Sequence, residues 1–174
     1  TAVMLSGETA AGQYPVEAVK TMAKIAEQAE ADRPTVPGRE QIWHEMDALD
    51  VTNAVGHAAC TLAKDIKAGA VMAVTKTGYT ARRISKFRPE TPIIGATPYE
   101  KTYHQMSLVW GVTPLMVNYK YDIEVLFDHC VRHALARKVV EEGEKVVITA
   151  GIPLDIPGNT NIIRILEVEK DTLL

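Results

Sequence analysis

The chain has 174 residues, 47% of them hydrophobic and 24% charged, with a formal net charge of −3. That is apolar material for one packed domain and a piece of another, at an ordinary charge density. The balance excludes a broadly basic nucleic-acid or anionic-membrane surface, and no apolar run is long enough to span a bilayer.

Residues 1–5 read as a short buried strand, and Ser6 to Gly12 as a glycine-containing loop. Pro15 opens a helix to about residue 31, with Val19, Met22, Ala23, Ile25 and Ala26 at helical spacing and Glu17 at the positive end of its dipole. A strand, a loop and a helix without a partner strand do not make a domain. They are expected to be the last repeat of a barrel or sheet, so the chain reads as a fragment of something longer. Residues 31–41 hold Pro34, Pro37 and Gly38 among charges and are the linker candidate. The expected organisation is a remnant over 1–33, a linker over 34–46 and an α/β domain over 47–174.

Residues 47–67 have the pattern of a long helix, with Ala54, Val55, Ala58, Ala59 and Leu62 on its core stripe and Gly69 ending it. Residues 70–74 are a continuous apolar run, which suits a parallel strand covered on both faces. Thr75-Lys76-Thr77-Gly78 breaks the run, and Gly78 permits a turn closed to residues with a Cβ. A helix then spans 79–87, stopping before Pro89.

Strand patterns follow at 92–96, 112–117, 145–150 and 161–168, with helices at 99–108 and 121–141. Alternating strands and helices imply a parallel sheet with right-handed crossovers. Residues 151–160 are too few for a helical crossover, so the last strand is expected to run antiparallel at or near an edge. The fold class is α/β: a mixed, mostly parallel five-stranded sheet flanked by helices. In the last strand Ile163, Ile165 and Glu167 face one way and Ile162, Arg164, Leu166 and Val168 the other, so one face should be wetter.

Ligands of open α/β sheets sit beyond the carboxyl ends of the strands. Two such ends are 75–80 and 151–160. The first aims the amides of a helix start at whatever lies above it, and Thr75, Thr77 and Thr80 add hydroxyls while Lys76 adds a charge. That is the chemistry of a phosphate cradle, although the P-loop spacing is missing. If the strand before Gly151 lies beside the strand before Thr75, the two loops share one rim and close over one small phosphorylated ligand. Lys76, Arg82, Arg83, Lys86 and Arg88 are a local basic cluster that serves either an anion or a solvated helix face.

Met4-Leu5-Ser6-Gly7-Glu8-Thr9-Ala10-Ala11-Gly12-Gln13-Tyr14-Pro15 closely resembles a hallmark segment of pyruvate kinase, found at the last strand and helix of its catalytic TIM barrel. Thr75-Lys76-Thr77-Gly78, Arg88-Pro89, Gly151 and Thr160-Asn161 follow in that family's order. The resemblance covers the whole chain and implies the end of the barrel plus the complete C-terminal domain. It implies a parent enzyme of glycolysis that transfers phosphoryl from phosphoenolpyruvate to ADP, giving pyruvate and ATP, with magnesium and potassium. Of that site only Ser6 and Glu8 carry over, as supporting residues at a strand end, so the fragment alone is expected to be inactive and to hold no cofactor or metal.

The resemblance also implies that the C-terminal domain binds a phosphorylated effector. The phosphate loop matches Thr75, Lys76, Thr77, Gly78, Tyr79 and Thr80, and the covering loop brings Gly158, Asn159 and Thr160 nearest the ligand. Members that respond to fructose 1,6-bisphosphate carry a tryptophan and an arginine where this chain has Tyr119 and Leu126. A monophosphate is therefore expected, either AMP or a sugar monophosphate such as ribose 5-phosphate. The family implies a homo-tetramer with C-terminal domains meeting across a two-fold axis, a cytoplasmic location, and neither nucleic acid nor membrane as partner.

Other residues carry blander readings. Cys60 and Cys130 lie in apolar helical patterns and read as buried thiols of a reducing compartment. His129 and His133 have chelating spacing, but no third ligand is evident and helix-surface histidines are the better reading. Ser6 lacks a nucleophile-elbow pattern. Trp43 and Trp110 are core or interface anchors. Two other functions stay open beside a regulatory domain: a free-standing phosphate-ligand module, and a purely structural oligomerisation domain.

Overall fold

The structure is a computed structural model that describes residues 2–31, 50–154, 156 and 158–169. The described residues fall into two compact units, one within 1–46 and one within 47–174. Trp43 and the expected linker lie outside the described residues.

The first unit contains α1 (Gly7–Ala10) and α2 (Pro15–Ala31). The strand expected over 1–5 is absent from its described part, because a strand exists only by pairing and no partner strand is described in this unit. The expected loop holds one helical turn instead. The Ser6 carbonyl accepts from the amides of Thr9 and Ala10 at 3.2 and 3.0 Å, and Glu8 Oε2 accepts from the Ser6 amide at 3.0 Å. Of the apolar stripe assigned to α2, Met22 is half-buried and Val19, Ala23, Ile25 and Ala26 are exposed.

The second unit is one five-stranded sheet in the order β3-β2-β1-β4-β5. Its strands are β1 (Ala70–Val74), β2 (Ile93–Thr97), β3 (Val112–Met116), β4 (Lys145–Ala150) and β5 (Ile162–Glu167). The first four are parallel, and β5 pairs antiparallel with β4, Ala150 opposite Ile162. Its helices are α3 (Val51–Asp65), α4 (Tyr79–Lys86), α5 (Glu100–Met106) and α6 (Ile123–Ala136).

Both faces of the sheet are covered, which is why β1 is apolar at every position. Ala70 and Met72 point into a core with Phe127, Cys130 and Val131 of α6. Val71 and Ala73 point the other way, into a core with Ala59 and Ala63 of α3 and Ala81 and Ile84 of α4. On β5, Ile162 and Leu166 pack toward α6, whereas Ile165 is 44% exposed, so the face shared by Ile165 and Glu167 is the wetter one.

Helix α3 buries only part of the stripe expected: Ala59 is fully buried and Leu62 packs against the same core. Its buried residues are Thr52, Asn53, Gly56, Ala59 and Ala63, whereas Ala54 and Ala58 are exposed. Small residues, not the most apolar ones, face inward because the neighbouring helix comes close: a Cβ on Gly56 would meet the Phe87 ring at 3.3 Å. Nor does Gly69 cap this helix. Lys67 takes the left-handed conformation at φ 51°, and the Ala68 amide donates to the Ala63 carbonyl at 2.8 Å. Gly69 is instead a point of close approach to the Glu144 carboxylate.

Candidate functional site

Strand order sets where a site can form. From β1 the chain runs outward through β2 to β3, then returns across the sheet to β4 on the other side of β1. The segments after β1 and β4 leave neighbouring parallel strands at their carboxyl ends, where ligands of open α/β sheets bind. Residues 75–80 follow β1 and residues 151–160 follow β4, and both segments line one cleft of about 600 Å³ including its open mouth.

The first segment is held by its own threonines. Gly78, left-handed at φ 75°, precedes the first residue of α4, a backbone conformation that favours glycine. Its amide donates to Thr75 Oγ1 at 3.0 Å, and the Tyr79 amide donates to Thr77 Oγ1 at 3.4 Å. Carbonyls of the turn are tied down as well. Thr102 Oγ1 on α5 donates to the Lys76 carbonyl at 2.8 Å, and Arg82 donates to the Thr77 carbonyl at 3.0 Å.

The second segment folds back on itself. Asn159 and Asn161 both donate from Nδ2 to the Ile152 carbonyl, at 3.0 and 2.7 Å, and the Ile152 amide donates to Asn161 Oδ1 at 2.9 Å. Gly151 makes this possible, since a Cβ there would stand 2.2 Å from the Asn159 carbonyl oxygen. Two hydroxyls then join the segment to the rest of the unit. Thr52 on α3 donates to the Gly158 carbonyl at 3.0 Å, and the buried hydroxyls of Thr80 and Thr160 lie 2.6 Å apart.

The chemistry of the cleft follows from these bonds. A hydroxyl that accepts an amide proton still has its own proton to donate. Thr75 and Thr77 are in that state, so they remain donors toward an anion. Lys76 is the one cation among the described lining residues, none of which is a carboxylate, and its Nζ stands 5.0 Å from the centre of the Tyr119 ring.

Of the nine residues expected here, Thr75, Lys76, Thr77, Thr80, Gly158, Asn159 and Thr160 line the cleft. Gly78 and Tyr79 do not. Gly78 shapes the turn, and a Cβ on it would meet Arg82 and Met106 at 3.1 Å. The Tyr79 hydroxyl donates to Asp50 Oδ2 at 3.3 Å and accepts from Arg83 at 2.6 Å, which uses the ring to join α4 to the start of α3. Arg88 likewise stacks 4.3 Å above Trp110, so the basic cluster serves packing more than the cleft.

Tyr119 and Leu126, marked in the sequence as departures, both line the cleft. Sequence reading missed Val74, Pro98, Val117 and Asn118; Leu154 and Ile156 lie in the covering loop it assigned but were not singled out. Pro98 and Val117 follow the ends of β2 and β3, so the carboxyl-end rule, applied to every parallel strand, finds them.

Ser6 and Glu8 are exposed in the first unit. The Glu8 carboxyl is held below the usual carboxylate range, first by its own amide and then by that of Ser6. Burial pushes the half-buried Cys60 and the buried Cys130 up to about 12, which leaves both as unreactive thiols at neutral pH. The His129 and His133 rings are 4.3 Å apart, and among the described residues no group of three or more His, Cys, Asp or Glu side chains is arranged to hold a metal. No described helix is long and apolar enough to cross a membrane.

Comparison with known proteins identifies the fold. A family model described as the pyruvate kinase alpha/beta domain matches residues 53–166. The chain is 38% identical over 171 residues to a pyruvate kinase of Clostridium acetobutylicum, covering 97% of this chain and 35% of that protein. It is 41% identical to a pyruvate kinase of Staphylococcus epidermidis over 94% of this chain, and to pyruvate kinase 2 of a Synechocystis species over 99%, covering 28% of each. A crystal structure of a pyruvate kinase from Cryptosporidium parvum superposes with a TM-score of 0.77 at 28% identity, over 95% of this chain and 32% of that one. The chain thus spans about a third of the length of the relatives it matches.

Proposed function

The chain belongs to the pyruvate kinase family, as its C-terminal alpha/beta domain, and from that premise we propose that it senses a phosphorylated metabolite on behalf of a glycolytic kinase. In this reading residues 47–174 are the regulatory domain, residues 34–46 a linker, and residues 1–33 the last repeat of a catalytic barrel, whose strand forms only against a neighbouring strand of that barrel. The parent enzyme passes phosphoryl from phosphoenolpyruvate to ADP in the cytoplasm, with magnesium and potassium. Ser6 and Glu8 are the only residues assigned to that site, so the chain alone is inactive.

The observation that carries the reading is that Lys76 and Asn159, from loops far apart in the chain, line the same cleft. Threonine hydroxyls and a lysine amid apolar walls suit a phosphate monoester, because charge-assisted bonds are strong where water is scarce. Leu126 supplies no charge for a second phosphate. The test is calorimetric titration of the chain and its Lys76→Ala variant with inorganic phosphate and with AMP. Binding should weaken at least about tenfold in the variant with no change in unfolding midpoint. Equal affinities in the two proteins would overturn the reading.

A second role rests on a different surface. Among the described residues β5 is the edge strand of the sheet, and His57 and Leu62 of α3 form a groove with its Ile163 and Ile165. An edge strand beside apolar side chains is the kind of surface that pairs with its own copy across a two-fold axis. We assign one two-fold contact of a homo-oligomer to this face; a tetramer needs a second contact elsewhere. Ile165→Lys should lower the mass of the assembly by sedimentation, while an unchanged mass would exclude the groove.

A further inference from the structure

We propose that the groove between α3 and β5 is a proton-sensitive contact between two copies of the chain, in which His57 of each copy meets Asp65 of the partner subunit. This rests on the assignment of a homo-oligomer contact to that face. The residues that α3 gives the groove are His57, Ala58, Thr61, Leu62 and Asp65. His57 and Asp65 lie to either side of Thr61, each four positions away, so they stand about 12 Å apart along the helix. Thr61 and Asp65 are exposed and His57 is half-buried. A two-fold axis at Thr61 sets position 57 of each copy beside position 65 of the other. One end of the stripe carries a base and the other an acid, so the helix is complementary in charge to its own copy.

The fold allows two copies of α3 to meet in that way. The start of α3 lies by the loop after β4, where Thr52 donates to the Gly158 carbonyl at 3.0 Å. Past its end, the Gly69 amide donates at 2.9 Å to the carbonyl of Lys145, the first residue of β4. The helix therefore runs antiparallel to β4 and parallel to β5. A two-fold axis perpendicular to the sheet brings two copies of β5 edge to edge. It also places both copies of α3 on one face of the joined sheet, running in opposite directions.

Few groups compete for His57. From the end of α4 it meets the uncharged Phe87 ring, with 5.4 Å between ring centres. Arg83, one turn earlier on α4, is held by Tyr79 and Asp50. From β5 come Ile163 and Ile165. Glu167 on the same face of β5 stands opposite Lys145, and these two charges offset each other at the far end of the groove. Lys64 does not line the groove. Among the described lining residues His57 is thus the only base and Asp65 the only acid. Imidazoles gain charge as the pH falls through about 6.5. A carboxylate beside the ring favours the charged form, so assembly takes up protons and loosens as the medium turns alkaline.

Sedimentation equilibrium of the chain should give a dissociation constant about fivefold lower at about pH 6 than at about pH 8. His57→Gln and, separately, Asp65→Asn should narrow that difference to less than about twofold. His57→Asp should weaken association at both pH values, and adding Asp65→His to the same chain should restore it, because the exchange again sets an acid against a base. Asp65 is exposed, so Asp65→Asn keeps the test open if a His57 variant fails to fold. A pH dependence untouched by both neutral variants, or an exchange that fails to rescue, overturns the pairing; the face itself still stands as a contact if Ile165→Lys lowers the mass. If Ile165→Lys leaves the mass unchanged, the contact fails and this inference goes with it.

Discussion

Thr80 and Thr160 are 80 positions apart in sequence, and their buried hydroxyl oxygens lie 2.6 Å from each other. One donates and the other accepts, so each is satisfied by its partner. The bond is also a direct link between the loop after β1 and the loop after β4.

Replacing both threonines should therefore cost less than the two single replacements added together. Thr80→Val leaves the Thr160 hydroxyl buried without its partner, a penalty of about 1–3 kcal/mol, and Thr160→Val does the converse. The double variant removes both polar groups at nearly constant shape and should be less destabilised than the two single losses summed. Urea unfolding of the four proteins checks this; strict additivity would mean the hydroxyls do not depend on each other.

Gly151→Ala should disturb the second loop specifically. The new methyl would stand 2.2 Å from the Asn159 carbonyl oxygen, a backbone atom that cannot simply rotate away. We expect amide exchange over residues 152–161 to speed up at least tenfold, with the centre of β1 protected as before. Unchanged exchange in that loop would show that the close approach is not required.

Acidification should weaken the fold through His129. Its Nε2 accepts the Asn118 amide at 3.2 Å, a bond available only to the neutral ring. Partial burial lowers its pKa, and the charges of His133, Lys120 and Arg132 lower it further. A group harder to protonate in the native state takes up more protons when unfolded. Stability is thus intact above the ordinary histidine pKa near 6.5 and falls as the pH drops from there toward the depressed native value. The urea midpoint followed from about pH 7.5 to 5.5 should fall less in His129→Gln than in the unaltered chain. Parallel pH profiles would remove His129 from the account.

Lys138 ends α6 in the left-handed conformation at φ 56°, with the Val139 amide donating to the Ala134 carbonyl at 3.0 Å. Glycine fits that geometry without a Cβ penalty. Lys138→Gly should raise stability by about 0.5–1 kcal/mol in chemical denaturation. A loss of stability would mean that the lysine side chain does more at the helix end than its backbone costs.

Much of this architecture is legible in the sequence because its signals are local. The run from Ala70 to Val74 announces a strand covered on both sides, and the short span between Ala150 and Ile162 forces the antiparallel turn-back of β5. The shared rim follows from where strand ends must lie. What escapes is set by contacts that no spacing records. The inward face of α3 is chosen by how near Phe87 comes to Gly56, and Tyr79 turns from the cleft because Asp50 and Arg83 hold its hydroxyl. The strand expected in the first unit fails for a related reason: an extended segment needs a neighbour, and sequence pattern alone does not supply one.

The central pairing of β1 with β4, which sets Val71 against Val147, also bears on how the chain acquires its shape. Local hairpins and helix turns close quickly, whereas a parallel pair so distant in sequence must wait for a large loop to close. The crevice lies between those two strands, so a partly collapsed chain has none. A metabolite that fits it will recognise only molecules that have completed the slowest step of assembly, and will slow their unfolding without hastening their formation.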